Sequence, residues 1–182
     1  MLMHSFYQPP TLLTLPGELR NRIYRQALVS DVHIGVSNRD ECWKQNCKQP
    51  ALLATSKQIR HEACKIYYLE NKFRLFVHAM DGAALTAFAK HARPYLDGGM
   101  QIVMQPTGYA NWGNLMRWLK EVFEGRSIAI ILKPVPGPQQ KVVANAFDIV
   151  RELSKAGLAW EQIVPVLESY RKGTDGAGHT WS

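Results

Sequence analysis

The chain has 182 residues, 46% hydrophobic and 20% charged, with a net charge of +7. This composition excludes a disordered chain, a collagen-like repeat and a coiled coil, and no apolar run approaches the ~18 residues of a membrane span. Residues 12–72 hold ten Lys/Arg against six Asp/Glu, and residues 73–182 hold twelve against nine, so the excess reads as a solvated basic surface rather than a phosphate track.

Cys42, Cys47 and Cys64 are too few, and odd in number, for a secreted disulfide framework. The N-terminus shows no basic region followed by an apolar one. The expected location is therefore intracellular, cytoplasmic or nuclear, with no membrane partner.

In chain order, residues 1–11 carry Pro9 and Pro10 and read as a flexible leader. A single domain is expected over 12–172. Pro16 suits the first turn of a helix, with Thr14 or Leu15 at the cap and an end near residues 28–30. Leu19, Ile23 and Ala27 recur at steps of four and predict its buried stripe, with Arg20, Arg22 and Arg25 lying off it. Val32, Ile34 and Val36 alternate as a short strand. A polar loop over 37–49 follows, and Pro50 opens a second helix that ends near Asn71.

From Phe73 the pattern changes. Phe73, Leu75 and Val77 alternate as a strand; residues 83–91 read as an Ala-rich helix stopped by Pro94. Residues 102–104 form the next strand, and Trp112, Leu115, Met116, Leu119 and Phe123 mark a helix. Residues 128–132 predict a further strand. Val142 to Leu153 then mark a long helix ended by Gly157, and residues 160–167 a last short helix. Residues 173–182 are Gly-rich and are expected to form a disordered tail with Trp181 free.

Strand starts at Phe73, Gln101 and Ile128 lie 28 and 27 residues apart, each followed by a helix, without a leucine-rich consensus. The expected class is α/β, with α+β as the alternative: a sheet of about four strands flanked by helices, its strand direction open.

Two segments carry a family resemblance. One is Leu15-Pro16-Gly17-Glu18-Leu19-Arg20-Asn21-Arg22-Ile23-Tyr24; the other is Leu52-Leu53-Ala54-Thr55-Ser56-Lys57-Gln58-Ile59-Arg60-His61-Glu62-Ala63, continuing to Asn71-Lys72-Phe73. Residues 12–77 resemble the fungal F-box-like proteins, including their two-EXR relatives, although Ser56-Lys57 stands where that family has Cys-Arg. The resemblance implies a protein–protein interaction adaptor that links a target to a cullin–RING ubiquitin ligase through a Skp-type linker. Carried onto this chain, the partner-binding residues are Leu15, Pro16, Leu19, Ile23 and Leu28, with Leu52, Leu53 and Ile59 beside them. The same stripe is also what two helices need to pack on each other. An amphipathic face is first of all a core face, so the sequence favours burial. Residues 78–172, the sheet and C-terminal helices, would then hold the target.

The alternative is a basic nucleic-acid-associated or regulatory protein, with Arg20, Arg25, Lys57 and Arg60 gathered on one open face. Tyr67, Tyr68, Phe73 and Phe76 interleave with cations as a base-stacking platform would; the sequence favours their closing the core instead. Cys42-x4-Cys47 with His61-x2-Cys64 has the spacing of a loose Cys3His zinc set. The reading preferred is no metal: a small buried Cys64, an exposed His61 and two loop thiols. Phosphate-loop, dinucleotide and nucleophile-elbow motifs are absent from the sequence. No catalytic residue and no cofactor is assigned. Asp81 and Asp97 read as helix-cap or turn residues, and Trp112, Trp118 and Trp160 as core or interface anchors.

Overall fold

The computed structural model describes residues 11–37, 50–129, 138–176 and 181. A 3-10 turn over Leu12–Thr14 leads into α1 (Gly17–Leu28), followed by β1 (Ile34–Val36), α2 (Ala51–Thr55), α3 (Lys57–Glu70) and β2 (Lys72–His78). Then come α4 (Ala83–Leu96), β3 (Gln101–Thr107), α5 (Trp112–Phe123), α6 (Pro138–Lys155) and α7 (Trp160–Gly176). Pro16 stands immediately before α1 with extended backbone, a place where its missing N–H removes no helical bond.

Helix boundaries follow local chemistry. The helix expected from Pro50 to Asn71 is two helices. Ser56 is extended at φ −150° and its hydroxyl accepts the Ile59 amide at 3.1 Å, so it ends α2 and caps α3. Asn111 caps α5 in the same way, its Oδ1 accepting from the Asn114 amide at 2.9 Å. Asp81 Oδ1 accepts from the Ala83 amide at the start of α4. Pro94 does not stop α4, which continues to Leu96; so near the C-terminus its missing N–H removes a single helical bond. Gly157 takes φ +82° after α6, and the Leu158 amide closes onto the Leu153 carbonyl at 3.1 Å.

The three strands of the described residues form a parallel sheet in the order β1-β2-β3, with Ile34 opposite Phe73 and Phe73 opposite Ile102. The fold is α/β. Residues 128–132, expected as a strand, divide: Ile128 and Ala129 are not in a strand, and 130–132 lie outside the described residues. Val32, expected to open β1, lies before it and is exposed. Pro106 sits inside β3, which among the described residues pairs only with β2, an edge position that tolerates a missing amide.

Phe73, Leu75 and Val77 point from β2 into the core, against Ile59, Ala63, Ile66 and Tyr67 of α3 and Leu85, Phe88 and Ala89 of α4. The Tyr68 ring stacks on Tyr95 at 4.9 Å and 14°, and meets Phe88 edge-on at 6.0 Å. Tyr67, Tyr68 and Phe73 therefore close the core, as expected from the sequence, whereas Phe76 alternates to the other face of β2 and is half-buried. Lys72 and Arg74 alternate to the other face of β2 and are exposed.

The C-terminal helices join through tryptophans. Trp118 of α5 meets Phe147 of α6 edge-on at 4.7 Å and donates its Nε1–H to the Ile128 carbonyl at 3.0 Å. Trp112 Nε1–H donates to Glu168 of α7 at 2.8 Å. The expected tail is corrected here: α7 continues through residues 173–176, and Thr174 is buried. Trp181 is not free. It packs edge-on against Trp112 at 4.9 Å and donates to Thr174 Oγ1 at 3.2 Å, because a large indole reaches an apolar neighbour and an acceptor at once. Residues 1–10, 38–49, 130–137, 177–180 and 182 lie outside the described residues, as do the leader and loop readings placed on them.

Candidate functional site

The site is best built from α1. Of its twelve residues only Tyr24 and Leu28 are buried. Arg20, Tyr24 and Leu28 share one stripe, and that stripe faces α3. Arg20 Nε and Nη2 donate to the two oxygens of Glu62 at 2.8 and 2.9 Å, and the Tyr24 hydroxyl donates to Glu62 Oε2 at 2.9 Å. Gln58 adds a further donor at 3.0 Å. These bonds, Arg20's first and Gln58's second, hold the Glu62 carboxyl at about 2, well below its usual 4.5. Burial and its bond to Glu62 push the Tyr24 phenol up.

Arg20 also donates through Nη1 to the Leu15 carbonyl, which fixes the Leu15–Pro16 turn to the same carboxylate. Further along, Arg25 grips Glu70 with Nε and Nη2, both within 3.1 Å. Asn71 closes the end. Its amide donates to the carbonyls of Leu28 (2.8 Å) and Tyr67 (2.9 Å), and its Oδ1 accepts from the Ser30 amide at 2.8 Å.

The polar clamp turns the helix by about one residue, or ~100°, from the orientation that its apolar pattern suggests. The stripe expected to be buried is outside: Leu19 is 44% and Ile23 41% exposed, and Ala27 is exposed with them. Pro16 is exposed on the same stripe, and Leu13 of the preceding turn is 39% exposed. This corrects the burial reading. An arginine and a tyrosine that share one carboxylate outweigh two aliphatic side chains in choosing the inward face. Arg20 gave no such signal, because a cation off the apolar stripe reads as solvated.

The proposed partner residues thus separate. Pro16, Leu19 and Ile23 are on the surface, and Leu15 and Leu52 are half-buried. Leu28, Leu53 and Ile59 are buried, and they belong to the core rather than to any free face. The four cations proposed for an acidic partner separate too. Arg20 and Arg25 are neutralised by Glu62 and Glu70, Arg60 donates Nε to the Leu53 carbonyl at 2.8 Å, and Lys57 is exposed.

Cys64 is buried, its thiol pushed up by burial, and His61 is exposed one turn away. Among the described residues no three His, Cys, Asp or Glu side chains gather as a metal site, and Cys42 and Cys47 lie outside them. None of the described helices is long and apolar enough to cross a membrane. No family model, curated protein or solved structure matches this chain.

Proposed function

We propose that this protein is a protein–protein interaction adaptor whose α1 docks a Skp-type linker of a cullin–RING ubiquitin ligase. One observation carries the reading: Pro16, Leu19 and Ile23 form an apolar stripe left uncovered on a helix that is anchored from its other side. A helix face of this kind, presented at i, i+3 and i+7, is what an apolar groove accepts. The resemblance of residues 12–77 to F-box-like proteins supplies the identity of the groove.

The test is a titration of the purified linker onto wild type and onto Leu19→Asp/Ile23→Asp. Both positions are exposed, so the double variant should unfold within about 1 kcal/mol of wild type, roughly 0.5 for each surface substitution. Its affinity should fall about thirtyfold or more, the ~2 kcal/mol of a central apolar anchor. A folded variant that binds as wild type does, or a wild type that does not bind, would remove the reading.

A further inference from the structure

A second site lies between α4 and α5. The two helices splay to leave a cleft of about 590 Å³, within the size range of small-molecule pockets. Ala83 and Ala87 form one wall, and the buried indole of Trp118 closes the bottom. The cleft opens beside the turn that leaves the carboxyl end of β2.

That turn is unusual. Ala79 and Met80 are consecutive non-glycine residues at φ +46° and +60°, a conformation that persists only where neighbours enforce it and that gathers at functional sites. Here Asn114 enforces it from the cleft wall, its Nδ2 donating to the Ala79 carbonyl at 2.9 Å. The Oδ1 of the same Asn114 accepts from Arg117, so one amide both holds the turn and aims a guanidinium.

The cleft is lined by two acids and two cations that, among the described residues, do not pair with one another. Its two acids are engaged elsewhere: Asp81 caps α4, and Glu121 binds Arg126 through both oxygens at 2.8 Å. Its two cations, Lys90 and Arg117, enter no ion pair among the described residues. We infer that this cleft binds a small organic anion, its apolar body against Ala83, Ala87 and Trp118 and its acid group held by Lys90 and Arg117. The inference is independent of the docking reading, since the exposed stripe of α1 contributes no residue to the cleft.

Anilinonaphthalene sulfonate is a suitable probe, because phenylnaphthylamine offers the same rings without the acid. Calorimetry on the full chain should show one sulfonate probe per protein, bound about tenfold or more tighter than the neutral amine, as a charge-assisted contact requires. Ala87→Trp, at an exposed wall position, should abolish binding by filling the space. Lys90→Gln/Arg117→Gln should keep the fold and reduce the sulfonate to the affinity of the amine. Leu19→Asp/Ile23→Asp should bind the probe as wild type does. Equal affinity for the two probes in wild type, or a sulfonate affinity unchanged in Lys90→Gln/Arg117→Gln, would overturn the inference. So would loss of the probe in the α1 variant, which would place it on the docking stripe.

Discussion

Asn71 is a small side chain with a large share of the structure. It is 1% exposed and satisfies two carbonyls and one amide, two of the three at the end of α1 and one in α3. Asn71→Ala leaves those groups unpartnered in a dry place, and the expected loss is about 3 kcal/mol, read as a lower urea midpoint at unchanged slope. Glu62 acts through charge. A carboxyl with a lower pKa folded than unfolded contributes stability that is full above about pH 4.5 and is lost as pH falls towards 2. Glu62→Gln should therefore melt below wild type at neutral pH, and the gap between the two melting temperatures should close through that window. A gap that stays constant would mean that Glu62 anchors α1 by shape rather than by ionisation. Asn71 and Glu62 stand in the segments that carry the resemblance, but as letters of a motif; their partners in and after α1 are about forty residues away, and no local pattern announces them.

At the scale of elements, the sequence was most legible where one residue type decides an outcome. Pro16 marks the entry to α1, Phe73-Leu75-Val77 mark β2, and Gly157 ends the turn after α6. It was least legible where a polar side chain competes with an apolar pattern. Ser56 falls inside the span from Pro50 that reads as one helix, and instead divides it. The inward face of α1 differs from its apolar pattern because Tyr24 counts as half apolar, while its hydroxyl and Arg20 Nε share Glu62 Oε2 as acceptor. Gly82, between β2 and α4, shows the opposite case of a residue chosen by space alone. A Cβ there would lie 2.3 Å from Cγ of the buried Trp118 ring. Gly82→Ala should cost about 1–3 kcal/mol, because the indole is pinned by Phe147 and by its bond to Ile128 and has no room to retreat. Calorimetric unfolding of this variant beside Ala87→Trp would separate crowding of the core from filling of the open cleft.

At the scale of the molecule, the alternation of strand and helix was readable from spacing, whereas strand direction was not. Parallel order follows from α2–α3 and α4 each carrying the chain back to the start of the next strand. The cleft was invisible in the sequence for a related reason. Lys90 and Arg117 lie on separate helices, and only the route of the chain through β3 brings them to one opening. Each taken alone is an ordinary surface cation. The exposed stripe of α1 was visible as a pattern, but its direction depended on a carboxylate in another helix.

The hold on α1 has a dynamic consequence. Its attachment consists mainly of ionic and hydrogen-bonded contacts to one neighbouring helix, with two buried side chains beneath. Such a unit is expected to open ahead of the sheet, because only Tyr24 and Leu28 of the shared core are exposed in freeing it. A partner that grips only the attached helix adds its binding energy to that equilibrium. Occupancy of the outer face would therefore register as slower amide exchange throughout residues 17–28, including the positions that touch no partner.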